Sequence, residues 1–253
     1  MEKPAVPQSV ALGIIGDEVL KGEVEDKNTS FFIKRFREIG VDVLCVMILP
    51  DRIDMISDFV RTMRERVDFV ILTGGIGPTP DDITRDAVAK ALGRELILHP
   101  GAEKKLREFY GDRLTDSRLN MAMLPDGASL IENPVSGAPG FMVENILVFP
   151  GIPSLIEEMF PQVRPLFRGT SFHKGIVYME SGESSYSDIM ERLMKEFPSL
   201  SIGSYPSLEG GYRVRLVVRG QDGEEVRRCV EKFVTLCRER GLTVKETVYE
   251  ENG

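Results

Sequence analysis

Apolar positions in the first two-thirds of the chain switch repeatedly between continuous runs and helical spacing. Val10–Ile15 is an unbroken apolar run ended by Gly16-Asp17, the signature of a strand buried on both faces of a parallel sheet. Asn28 reads as the N-cap of a helix running to Gly40, with Phe32, Phe36 and Ile39 at helical spacing and a glycine stop. Val41–Leu49 is a second strand, and Arg52–Arg66 a second helix with Ile53, Ile56, Val60 and Met63 on one face. Val67–Thr73 is a third strand. Helices at Thr84–Leu92, closed by Gly93, and at Ala102–Tyr110 flank a short extended segment, Glu95–Leu98. The Pro- and Gly-rich stretch Leu124–Pro150 holds a hairpin, Phe141–Val143 and Ile146–Phe149, turning at Glu144-Asn145, and Ser154–Phe167 is amphipathic. Strands separated by helices with short connections predict an α/β fold: a three-layer αβα sandwich on a mostly parallel sheet.

After Arg168 the rhythm changes. Lys174–Tyr178 is extended and Ser184–Phe197 helical. Strands at Ser201–Tyr205 and Tyr212–Arg219 are joined by a Pro/Gly-rich turn, then come a helix at Glu224–Arg240 and a strand at Thr243–Val248. The order βαββαβ is the split-βαβ, ferredoxin-like arrangement. Val226, Val230, Phe233, Val234 and Cys237 give its second helix an apolar face, best read as core packing. Two domains are expected, residues 1–168 and a small α+β domain, 169–253.

Composition narrows the classes. With 253 residues, 42% hydrophobic and 28% charged, the chain is neither disordered nor short of core. The net charge of −8, with both parts acidic, argues against a nucleic-acid binder, which needs a cationic field. Cys45, Cys229 and Cys237 form no CxxC and sit among apolar neighbours, as reduced core residues do. His99 and His173 are isolated, so a His/Cys zinc site is not expected. No apolar leader precedes Asp17-Glu18 and no apolar run is long enough to span a bilayer. A cytoplasmic protein is expected.

The stretch Leu72-Thr73-Gly74-Gly75-Ile76-Gly77-Pro78-Thr79-Pro80-Asp81-Asp82-Ile83-Thr84-Arg85-Asp86 carries the most chemical information. It leaves the carboxyl end of a parallel strand and opens a helix, which is where open α/β sheets bind ligands. Glycines there let N–H groups approach a phosphate. The Rossmann and Walker fingerprints are both absent. One reading is a tight βα turn with Asp81 or Asp82 as N-cap. The other is a phosphate site in which Asp81 and Asp82 hold a divalent cation, since carboxylates and phosphate otherwise repel. Thr79 and Thr84 are candidate hydroxyl donors. Gly16-Asp17-Glu18, Asn28, Asn133-x-x-Ser136-x-x-x-Gly140 and Pro150-Gly151-x-Pro153 are further turns expected to gather at one sheet edge, each also explicable as a turn or a cap.

In order, Gly16-Asp17-Glu18, Gly74-Gly75-Ile76-Gly77-Pro78-Thr79-x-Asp81-Asp82-x-Thr84, Asn133-x-x-Ser136-x-Ala138-Pro139-Gly140-Phe141 and Pro150-Gly151-Ile152-Pro153 resemble the CinA family over about residues 8–167. Ser136 stands where the family usually has Thr. The resemblance implies a MoaB/MogA-type molybdopterin-binding domain, followed by a KH-like domain with a matching Gly182-Glu183-Ser184. The family's carboxy-terminal amidohydrolase domain has no counterpart here. The resemblance implies an ADP-ribose pyrophosphatase, with Asp17, Glu18 and Asp82 catalytic and Asp81 and Asp82 holding Mg, Mn, Co or Ni; potassium is a further candidate. The alternative is a molybdopterin- or nucleotide-binding protein, or a molybdopterin adenylyltransferase. Under either, Asn28, Gly74, Gly75, Gly77, Thr79, Thr84, Asn133, Ser136, Gly140, Pro150, Gly151 and Pro153 are expected to contact a phosphate-bearing nucleotide or pterin. A homo-oligomer, with a dimer favoured, is expected. The one GxxG after Arg168, Gly220-Gln221-Asp222-Gly223, is acidic and follows a strand, which argues against RNA.

Overall fold

The computed structural model describes residues 8–207 and 211–252. The N-terminal segment 1–7, the centre of the Pro/Gly-rich turn, 208–210, and Gly253 lie outside the described residues. The chain divides into two units, with the boundary between Gly169 and Thr170.

The first unit runs β1 (Ser9–Ile15), α1 (Asp17–Leu20), α2 (Asn28–Ile39), β2 (Asp42–Leu49), α3 (Ile53–Met63), β3 (Phe69–Thr73), α4 (Thr84–Leu92), β4 (Leu96–Leu98), α5 (Pro100–Tyr110), α6 (Asp116–Leu119), β5 (Met123–Pro125), β6 (Ser129–Ile131), β7 (Gly140–Val143), β8 (Ile146–Phe149) and α7 (Pro153–Val163). Its sheet has the order β2-β1-β3-β8-β7-β6. β2, β1, β3 and β8 are parallel, and β7 is antiparallel to both β8 and β6. The short strands β4 and β5 pair separately.

Period-two alternation divides the core between the two faces. Ala11, Ile15, Val70, Leu72, Ile146 and Val148 pack with Phe59, Val60 and Val88 of α3 and α4. Val10, Leu12, Ile71, Leu147 and Phe149 pack with Phe32 and Phe36 of α2 and Phe160 of α7. The second face is aromatic-rich: Phe36 meets Phe167 edge-on, with centroids 4.9 Å apart, and Phe32 meets Phe149 at 5.6 Å. The expected three-layer sandwich is the fold found. Asn28, however, is not the N-cap of α2. It is the first helical residue, Lys27 stands at the cap, and Asp26 Oδ1 accepts from the Thr29 N–H at 3.0 Å. Cys45 is only half-buried because it lies on the edge strand β2.

The second unit runs β9 (Phe172–Met179), α8 (Ser187–Glu196), β10 (Ser201–Pro206), β11 (Val214–Gly220), α9 (Gly223–Glu239) and β12 (Val244–Asn252). Its antiparallel sheet has the order β10-β11-β9-β12, as a ferredoxin-like βαββαβ unit requires. Val226, Val230, Phe233 and Cys237 of α9 are buried in its core, as the helical spacing predicts, with Val234 packed at its margin. The helix expected from Ser184 begins three residues later, because Glu183–Ser185 form a 3-10 turn. Within the GxxG, Asp222 caps α9, its Oδ1 accepting from the Glu224 and Glu225 N–H groups at 2.9 and 3.3 Å. That motif therefore has a local structural use.

Candidate functional site

The carboxyl ends of β1, β2, β3 and β8 converge on a cleft of about 600 Å³, a size suited to a small ligand. Its lining includes Glu18, Asn28, Gly74, Gly75, Gly77, Asp81, Asp82, Pro150, Gly151 and Pro153. The parallel sheet brings these together because each follows a strand that ends at the same edge.

The Gly74–Gly77 loop is held from one side. Thr84 Oγ1 donates to the Gly74 carbonyl at 2.8 Å, and Thr84 N–H donates to the Gly75 carbonyl at 3.0 Å. The Arg85 guanidinium donates to the carbonyls of Ile76 and Gly77 at 2.8 and 3.0 Å. In a trans peptide the next N–H points opposite to the carbonyl, and no peptide bond in the described chain is cis. Turning those carbonyls toward α4 therefore turns the N–H groups of Gly75, Ile76 and Gly77 the other way, as a row of donors. Glycine is required where the loop bends most. Gly74 has φ 98°, and a Cβ there would lie 2.2 Å from the Ile15 carbonyl oxygen. Arg85 is 6% exposed, and burial pushes its guanidinium below its usual pKa. Sequence reasoning missed it, since an Arg in a helix's first turn reads as solvated.

The hydroxyls expected on the ligand are spent inside the loop. Thr84 holds Gly74, while Thr79 donates its N–H and hydroxyl to Asp82 Oδ2 at 2.8 and 2.6 Å. Neither Asp81 nor Asp82 caps α4, where Ile83 takes the cap position without a side-chain bond.

The lining is also acidic. Asp51, just beyond β2, joins Glu18 and Asp81 on the lining. Asp51 Oδ2 accepts from the Asp17 N–H at 2.8 Å, and Asp17 Oδ1 accepts from the Asp51 N–H at 3.2 Å. Lys21 and that N–H hold the Asp17 carboxyl below its usual pKa. Burial pushes the Asp51 carboxyl up, reinforced by the charges of Glu18, Asp17 and Asp81. Asp17 itself is outside the lining, one residue away. Asp51 was legible in principle, as a carboxylate directly after an apolar strand in Leu49-Pro50-Asp51.

Five expected contacts lie outside the lining: Thr79 and Thr84, whose hydroxyls are spent in the loop, and Asn133, Ser136 and Gly140. Asn133 Nδ2 donates to Ser136 Oγ and the Ala138 carbonyl at 2.6 and 3.0 Å, and its Oδ1 accepts from the Val135 and Ser136 N–H groups, both at 3.1 Å. That residue builds the turn ahead of β7. Gly140 is closely packed, since a Cβ there would lie 2.5 Å from the Val148 carbonyl oxygen. Among the described residues, no three His, Cys, Asp or Glu side chains converge to hold an ion by themselves, so a cation here would need ligand oxygens as well.

Comparison with known families assigns the fold a lineage. A family described as "Probable molybdopterin binding domain" matches residues 11–169. The chain belongs to that family. A second family, "FAD synthase, middle domain", matches residues 171–246. A protein of Aeropyrum pernix is 38% identical over 92% of this chain and 94% of its own length. A CinA-like protein of Thermotoga maritima is 29% identical over 96% of this chain and 62% of its own, so this chain spans about three-fifths of that relative. The solved structure of CinA from Thermoplasma acidophilum, described as of unknown function, is 30% identical with a TM-score of 0.60, covering 64% of this chain and 99% of that one. This molybdopterin-binding-domain protein is thus CinA-like, as its four ordered motifs imply.

Proposed function

We propose that the cleft binds a phosphate-bearing heterocycle of the pterin or nucleotide class, with phosphate seated on the Gly75–Gly77 N–H groups. The carrying observation is the turning of the Gly74–Gly77 carbonyls onto Thr84 and Arg85, which aims three consecutive donors away from α4. Membership of a family described as probable molybdopterin binding supports the pterin arm. A melting-temperature screen of pterins, AMP, FAD, NAD and ADP-ribose, with and without Mg²⁺, tests it. A ligand specific for the native state raises stability by mass action, so no shift with any phosphate-bearing compound would sink this reading.

A second reading is metal-dependent hydrolysis of a nucleoside diphosphate compound, with ADP-ribose the leading substrate. Glu18, Asp51, Asp81 and Asp82 on one lining favour it. Asp81 and Asp82 would hold Mg²⁺, Mn²⁺, Co²⁺ or Ni²⁺, which lowers the pKa of water, and Glu18, the member of the Asp17-Glu18 pair on the lining, would orient the attacking water. Absence of ADP-ribose turnover with all four metals removes it.

A homodimer in the cytoplasm is the proposed setting. Leu44 on the edge strand β2 is 63% exposed, with Val46 and Ile48 exposed beside it, and uncovered apolar edges favour pairing. The described cysteines are free, which suits a reducing compartment. Light scattering on wild type and Leu44→Lys tests the dimer, a monomeric wild type being the contrary result.

A further inference from the structure

Asn28 is 6% exposed and lines the cleft. Its Nδ2 donates to the Gly151 carbonyl at 2.9 Å and to Thr73 Oγ1 at 3.3 Å. A carbonyl only accepts, so Gly151 fixes which branch of the amide is nitrogen. The other branch, Oδ1, is buried with no hydrogen-bond partner among the described residues. Buried polar atoms are almost always paired. An orphaned acceptor on a residue that lines a cleft is therefore a place for a bound molecule to bring the donor. Phosphate oxygens are acceptors and are repelled there, whereas a neutral O–H or N–H is satisfied without any cation.

We propose that Asn28 Oδ1 accepts a hydrogen bond from a hydroxyl or amino group on the non-phosphate part of the ligand, and so fixes which end of the molecule lies at Gly151. The proposal rests on the phosphate-binding reading above. It gives the cleft a polarity: N–H donors at Gly75–Gly77 for phosphate, and an uncharged acceptor at Asn28 for the remainder.

Calorimetric titration in EDTA tests it, with AMP as the donor-bearing probe and inorganic pyrophosphate as the probe that carries no amino group or sugar hydroxyl. Asn28→Leu is expected to weaken AMP about tenfold while changing pyrophosphate less than about twofold. The wild-type protein supplies a second arm that does not depend on a variant folding. Of 2′-deoxy-AMP, 3′-deoxy-AMP and purine riboside 5′-monophosphate, one is expected to bind wild type about tenfold more weakly than AMP. That same analogue should bind Asn28→Leu no worse than AMP does, the mark of a pairwise contact. Equal loss of AMP and pyrophosphate in Asn28→Leu, with no analogue weakened on wild type, gives Asn28 a purely structural role and overturns the proposal. A difference that appears only when Mg²⁺ replaces EDTA assigns the oxygen to a cation and also overturns it. If pyrophosphate binds wild type and AMP binds no tighter, the phosphate reading stands and this proposal falls. If neither binds, both fall.

Discussion

Asp17 and Asp51 exchange hydrogen bonds reciprocally, each carboxylate accepting the other's backbone N–H. The pair ties the turn after β1 to the turn after β2, setting the acidic wall of the cleft beside its neighbour Glu18. The two carboxyls are driven in opposite directions: Asp17 is held low by Lys21, and Asp51 is pushed up by burial.

Asp51 therefore carries a cost at neutral pH. A carboxyl whose pKa is raised on folding favours the native state below the ordinary carboxylate range, and that contribution is lost as pH rises through the folded value. Asp51→Asn, which keeps an oxygen for the Asp17 N–H, should raise the melting temperature at pH 7 by about 1–3 °C. The gain should shrink below about pH 4, where Asp51 is protonated in both states. Thermal melts across that range check it; a lower melting temperature at pH 7 would refute it.

Arg85 should matter to both stability and binding. Arg85→Met leaves the buried carbonyl of Ile76 and the part-buried carbonyl of Gly77 without their donors, at a cost of about 2–4 kcal/mol. With those carbonyls released, the loop's N–H row loses its orientation, and phosphate affinity should fall at least about tenfold. Urea denaturation and phosphate titration measure the two effects separately.

Gly75 and Gly93 offer a matched comparison. Their φ angles are 65° and 63°, but a Cβ at Gly75 would lie 2.4 Å from Thr84 Oγ1, whereas at Gly93 nothing lies within 4 Å. Gly93→Ala should cost about 1 kcal/mol of left-handed strain and leave ligand binding unchanged. Gly75→Ala should cost clearly more and abolish phosphate binding, because it displaces the hydroxyl that holds Gly74. Equal effects in the two variants would show that crowding at Thr84 is unimportant.

The cysteines should separate by reactivity. Burial pushes the Cys229 thiol up to about 12 and the Cys237 thiol up to about 11, and only the thiolate reacts. At pH 8 a maleimide should label the native protein at Cys45 alone, and all three cysteines once it is unfolded. Peptide mapping distinguishes the outcomes.

Much of this was legible without coordinates. The run Val10–Ile15 dictated a buried strand whatever surrounded it, because only the centre of a parallel sheet covers both of its faces. The spacing of Phe32 and Phe36 set the face of α2, and the strand-to-helix order placed the turns at Gly16–Glu18, Gly74–Asp82 and Pro150–Pro153 at one edge. Local pattern also located the hairpin at Glu144-Asn145 and the βαββαβ order after Arg168. What it could not supply was the destination of each polar side chain, which depends on groups far away in sequence. Asn28 looked like a cap because capping residues are recognised by local spacing, but its nitrogen is claimed by Gly151, 123 residues on. Asn133 looked like a ligand contact but is saturated by its own turn. Arg85 looked solvated until α4 packed it beneath the glycine loop. The sequence by itself determined the elements, their layers and the edge where chemistry gathers, since these follow from hydrophobic period and chain connectivity. Only the tertiary structure decided which acceptors and donors at that edge remain unspent, because hydrogen bonds are satisfied in three dimensions.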